Sequence, residues 1–112
     1  MDVRRHLPLT PVALEIMLAL AGGDRHGYDI MQEVERRSSG GIALHPGTLY
    51  RALARLLDER LIDELDERPG DGDARRRYYR LTPLGRDVAR AEIERLAGQV
   101  SAARRLLGRG RA

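Results

Sequence analysis

The spacing of apolar positions changes along this chain, and each change marks an element. Val12, Ala13, Leu14, Ile16, Met17, Leu18 and Leu20 cover every side of a helix from Pro11 to about Ala21, in which Glu15 is the single charge. Thr10 and Pro11 start it, because a hydroxyl can cap free N–H groups and proline at the first helical position has no N–H to lose. A short helix that is apolar all round must be covered on more than one side, and in so small a protein part of that cover is expected from a second subunit. Gly22 and Gly23 stop it. Asp24 is placed to cap a second helix from about His26 to Arg37, with Met31 and Val34 inward and Glu33, Arg36 and Arg37 outward. His26 and His45 also stand at helix starts, where each could cap. Beyond the break at Ser38 to Gly41, the residues Ile42, Ala43 and Leu44 predict a very short strand. Pro46 then opens a third helix reaching about Glu59, on which Leu49, Leu53, Leu56 and Leu57 recur at the spacing of a buried face.

Two runs able to form strands follow, Leu61 to Glu67 and Arg75 to Thr82, joined by a stretch rich in Gly, Asp and Pro; they predict a hairpin. On its return strand Tyr79 and Leu81 share one face and Tyr78 and Arg80 the other, and burial suits Tyr79 and Leu81 better. Thr82 and Pro83 repeat the Thr-Pro start, and a last helix extends to about Leu107. Its apolar seam, Ala89, Ile93, Leu96, Val100, Ala103 and Leu107, is spaced 4, 3, 4, 3, 4, close to three heptads of coiled-coil register. A helix of that length, roughly 37 Å, outruns the rest of the core. Its expected partner is the same helix of a second chain, in the symmetric dimer that is the commonest closed assembly.

With 112 residues, 42% of them hydrophobic, the chain has room for one modest core. We expect a winged-helix unit over residues 1–82 and a dimerisation helix with a basic tail over 83–112. All 20 basic residues are arginine, against 17 acidic ones, for a net charge of +3. There is no cysteine, so disulfides, thiolate catalysis and thiolate zinc sites are excluded. His6, His26 and His45 are too scattered for ligand spacing, Ser38 and Ser39 have no His and carboxylate constellation near them, and no metal, cofactor or catalytic role is expected. The longest apolar run, Val12 to Ala21, falls far short of the roughly 20 residues of a membrane span, and Pro8 and Pro11 interrupt any secretory signal; a cytoplasmic protein is expected.

Helix, helix, short strand, helix, hairpin, long helix is the order of a winged helix-turn-helix with an added dimerisation helix: mainly α with a small β-hairpin. Such a domain sets its third helix in the major groove of double-stranded DNA and its wing along the backbone. The charges agree. Thr48, Arg51 and Arg55 share the third-helix face away from the leucines, and Pro46 and Gly47 leave the helix N-terminus open to a phosphate. Arg51 is the better base reader, since a bidentate guanidinium on guanine gives about 1–3 kcal/mol of discrimination. Tyr50 can pack its ring under the helix while its hydroxyl reaches a phosphate. In the wing Arg75, Arg76, Arg77 and Arg80 stand together after a strand carrying Asp63, Glu64, Asp66 and Glu67. The triplet Arg75 to Arg77 can follow the DNA backbone, or pair across the hairpin with Asp63, Glu64 or Asp66. Arg104, Arg105, Arg109 and Arg111 read as a solvated end, and the tyrosine pair as hairpin core rather than a stacking platform for single strands.

Four fragments occur in order: Leu9-Thr10-Pro11; His26-Gly27-Tyr28; Gly47 to Leu53 with Leu56; and Arg76 to Thr82 with Gly85. Together they resemble the PadR family of transcriptional regulators over about residues 7–100, in its smaller subfamily with a single C-terminal helix. The resemblance implies a homodimeric repressor that binds an inverted-repeat operator and, in many members, is released by a small phenolic or drug-like effector. We expect an effector to enter near the first and last helices, with Ile16, Leu96 and Val100 as walls, and to change the angle between the two reading heads. Two departures stand out. Arg60 occupies the place of the family's usual glycine in the turn after the third helix, and Leu96 stands near where multidrug-binding relatives carry an aromatic. Other readings are a winged-helix protein-interaction module with an acidic partner, and an architectural DNA binder that needs no effector.

Overall fold

The computed structural model describes residues 2–65 and 77–108. A 3-10 turn at Val3–His6 precedes α1 (Pro11–Ala21), β1 (Arg25–His26), α2 (Gly27–Arg37), α3 (Pro46–Asp58), β2 (Ile62–Leu65), β3 (Tyr78–Leu81) and α4 (Pro83–Leu107). The two Thr-Pro starts behave alike: the Thr10 and Thr82 hydroxyls accept the N–H groups of Ala13 and Gly85, at 3.0 and 2.9 Å. This is the N-cap geometry their spacing predicts.

The three strands form one antiparallel sheet in the order β1-β3-β2. Ile62 lies opposite Leu81 and Glu64 opposite Tyr79, while Arg25 and His26 pair with Tyr79 and Tyr78 on the other edge of β3. The expected strand at Ile42 to Leu44 does not form. Arg25 and His26 take that edge instead, and Ile42 and Leu44 pack half-buried against the core without a strand partner. Asp24 is not the cap of α2 either. That role falls to His26, whose Nδ1 accepts the Asp29 N–H at 3.2 Å.

α1 lies at the centre and touches α2, α3, α4 and β3, which is why its apolar residues surround it. Ile16, Met17 and Leu20 pack there with Ile30 and Val34 of α2, Leu49, Leu53 and Leu56 of α3, Tyr79 and Leu81 of β3, and Val88 of α4. α3 ends in a Schellman turn: the Arg60 and Leu61 N–H groups return to the carbonyls of Leu57 and Leu56, each at 3.0 Å. Arg60 holds the left-handed position of that turn at φ +61°, where glycine is the usual occupant. Directly opposite, a Cβ on Gly85 would lie 2.0 Å from the Leu61 carbonyl oxygen, so only glycine lets α4 start against this turn.

Candidate nucleic-acid interface

α3 is amphipathic in the way a reading helix must be. Leu49, Leu53 and Leu56 lock one side into the core, and Arg51 and Arg55 stand exposed on another with Thr48 half-buried between them and the body. His45 at its N-cap makes no capping hydrogen bond with its side chain, and Pro46 follows it, so the first turn is left open to an anion. Tyr50 is 52% exposed, and its hydroxyl lies over Gly27, where a Cβ would meet it at 2.5 Å. The ring therefore packs on the start of α2 and keeps one edge in solvent. Arg55 is held by Glu59, Nε to Oε2 at 3.2 Å, and Glu59 also receives His6 Nδ1 on Oε1 at 2.8 Å. The hydrogen bond from His6, with help from Arg55, holds the Glu59 carboxyl below the usual carboxylate range against the opposing effect of burial.

The hairpin shows where its positive charge goes. Arg75 and Arg76 lie outside the described residues, as do Asp66, Arg109 and Arg111. Arg77 is exposed and bonds Glu64 across the hairpin, which raises the guanidinium pKa further. Arg80 reaches the other way and takes Asp24 with two nitrogens, at 2.9 and 3.2 Å. The cluster of wing arginines expected from the sequence is thus divided among the described residues: both members are matched to carboxylates. Burial raises the pKa of Tyr79, whose ring lies in the core beneath them.

Along α4 the sequence-derived seam changes environment. Ala89 is only 7% exposed and belongs to the chain's own core, Leu96 and Ala103 are half-buried, and Ile93, Val100 and Leu107 are exposed. Ile16, expected as an effector wall, is fully buried among core residues and presents no surface to a ligand within one chain. Glu92 was not singled out in the sequence, yet it is the most buried acidic group described, 1% exposed. Its Oε2 accepts the Leu9 N–H at 3.0 Å, and Arg95 binds both its oxygens at 2.6 and 3.0 Å. These bonds, Arg95 first, hold its carboxyl below the usual range. The signal was present: Glu92 is one turn beyond Val88 on the inward face of α4.

A helix locked by leucines, with a strand hairpin beside it and a 25-residue helix running on from that hairpin, is a winged helix with an appended arm. Residues 16–91 match the family model described as the transcriptional regulator PadR-like family. The chain belongs to that family. Its fold is the one shared by that family's transcriptional regulators. A PadR family transcription regulator from Clostridium difficile superposes with a TM-score of 0.74 at 26% identity, over 88% of this chain and 99% of that one. A transcriptional regulator from Clostridium thermocellum gives 0.73 at 25% identity, over 92% and 91% of the two chains. An uncharacterized 37.1 kDa protein in transposon TN4556 of Streptomyces fradiae is 41% identical over 88 residues, which make up 76% of this chain and 24% of that protein. The PadR-like chain thus spans about a quarter of the length of this curated relative. Among the described residues no helix is long and apolar enough to cross a membrane.

Proposed function

We propose that this PadR-family chain represses transcription as a homodimer that binds an inverted-repeat operator, with α3 in the major groove and the β2–β3 wing along the backbone. The observation that carries this reading is the exposed pair Arg51 and Arg55 on an α3 whose opposite side is immobilised in the core. A rigid helix carrying two guanidiniums is what base-edge recognition needs. In this reading residues 1–82 form the DNA-binding unit and α4 the dimerisation arm, through Ile93, Leu96, Val100, Ala103 and Leu107. A hollow of about 400 Å³ beside Leu18, Ala89 and Ile93 is consistent with a partner helix lying against α1 and α4. The two reading heads must meet successive major grooves about 34 Å apart. A small effector lodged near Leu96 and Val100 would rotate them out of register and release the operator.

A fluorescence titration against duplex from upstream of the chain's own coding region, and against scrambled duplex of equal length, tests this. The expected result at physiological salt is a preference of roughly a thousandfold or more for the upstream duplex, reduced by roughly tenfold or more in Arg51→Ala. Equal weak binding to both, unchanged in the variant, would overturn the operator reading and favour the protein-interaction module.

A further inference from the structure

A groove of about 530 Å³ separates the N-terminal segment from α3, away from the α1 and α4 face read as the dimer seam. Its floor is apolar, built from Leu9, Val12, Ala52 and Leu56, and Arg51 and Arg55 stand along its rim. One end is closed by His6 and Glu59, in contact at 2.8 Å. Both oxygens of Glu59 are already engaged, one by His6 and the other by Arg55. The acid of the groove is therefore spent internally, whereas Arg51 has no ion-pair partner among the described residues. An apolar floor under an unmatched guanidinium selects for a ligand with an apolar body and one negative charge, and the volume is that of an ordinary small-molecule site.

We propose that this groove binds a small amphipathic anion, a carboxylate or sulfonate on a compact apolar body, and that the bound anion competes with DNA for Arg51 and Arg55. The competition rests on the reading of α3 as the DNA-contacting helix; the anion site itself does not. One guanidinium cannot serve a ligand charge and a base edge at once, so the two occupants weaken each other equally.

The probe is 8-anilinonaphthalene-1-sulfonate, compared with N-phenyl-1-naphthylamine, which has the same apolar body and no charge. Both are titrated by fluorescence onto the full chain and onto the double variant Arg51→Gln, Arg55→Gln, whose substituted side chains are exposed and whose fold is checked by circular dichroism. The expected results are at least tenfold tighter binding of the sulfonate than of the neutral probe, loss of that margin in the variant, and displacement of the sulfonate by operator duplex. Equal binding of the two probes, or sulfonate binding indifferent to the double substitution, would overturn the site. A groove filled by a second copy of the chain would give that same indifference and overturn it equally. Duplex binding without displacement would overturn the competition while leaving the DNA reading intact. Arginine-dependent sulfonate binding with no duplex binding at all would support the anion site and overturn the DNA reading.

Discussion

Glu92 Oε2 accepts the Leu9 N–H at 3.0 Å, tying the N-terminal segment to α4 across 83 residues of sequence. The carboxylate is 1% exposed and Arg95 binds it from one turn further on. Glu92→Ala should therefore cost about 2–3 kcal/mol of stability, since it leaves a buried N–H without its acceptor and removes a charge-assisted bond. Urea denaturation at neutral pH reads this directly, and a loss under about 0.5 kcal/mol, the scale of an ordinary surface substitution, would contradict it.

The same group sets an acid dependence. Glu92 and Glu59 both titrate below the usual carboxylate value of 4.5, held down by Arg95 and by His6 respectively. A carboxyl whose pKa is lower in the folded state contributes its full stabilisation above its unfolded value and loses it as pH falls through the folded one. Stability should thus be level above about pH 5 and decline below about pH 4.5. In Glu92→Gln the decline should be shallower, because one of the two linked protons is gone. Urea midpoints from pH 7 to pH 3 for both proteins give the comparison, and parallel declines would count against Glu92 as a contributor.

The turn between α3 and β2 makes opposite predictions for two residues that face each other. Arg60 is left-handed at φ +61°, so Arg60→Gly relieves a backbone cost of about 1–2 kcal/mol, partly offset by the entropy of glycine in the unfolded chain, for a net gain of about 0.5–1 kcal/mol. Gly85→Ala drives a methyl to 2.0 Å from the Leu61 carbonyl oxygen, and should cost about 3 kcal/mol or more, because backbone must shift. Thermal unfolding separates them: the first variant should melt a few degrees higher and the second far lower.

How much of this could be read in the sequence depended on whether the determinant was local. The Thr-Pro caps and the leucine spacing of α3 are local, and α1, α3 and α4 emerged with their starts in place. The left-handed turn at Arg60 was legible because the resemblance put a glycine there. The edge strand was not, since Arg25 and His26 carry no strand pattern of their own and are strand only because β3 offers them a partner 50 or so residues later. Long-range charge pairing was hidden for the same reason. Asp24 looked like a cap in its own neighbourhood, and only the folded chain brings Arg80 to it. Of the candidate interface, the α3 face was legible from periodicity and the Arg77–Glu64 pair from the hairpin pattern, whereas the Arg80–Asp24 pair was not, because Asp24 lies in the loop before β1.

Arg51 and Arg80 should differ sharply as DNA ligands. Arg51 has no ion-pair partner among the described residues, while Arg80 already has its charge satisfied by Asp24. Arg51→Ala should lower operator affinity by roughly tenfold or more, corresponding to about 1–3 kcal/mol for a lost base contact. Arg80→Ala should alter it by less than about threefold and leave the salt slope within one unit of the parent's. Titrations over a salt series read both quantities, and a larger loss at Arg80 than at Arg51 would show that the Asp24 pair opens on DNA.

The assembly itself is tested on α4. Ile93 is 43% exposed and Val100 49%, large apolar side chains left on a helix that continues past the body of the chain. A seam of this kind gains stability only when a second copy covers it, at about 25 cal/mol per Å² of apolar surface removed from water. In a symmetric dimer Ile93→Asp places two carboxylates in that seam, one from each chain, where burial and the repulsion of like charges both oppose assembly. Sedimentation velocity should show the parent as a dimer and the variant as a monomer with unchanged circular dichroism at the α-helical minima of its winged-helix body. Operator affinity should fall with it, because a single reading head keeps only one half-site. A variant that sediments as the parent does would move the dimer interface off this face of α4.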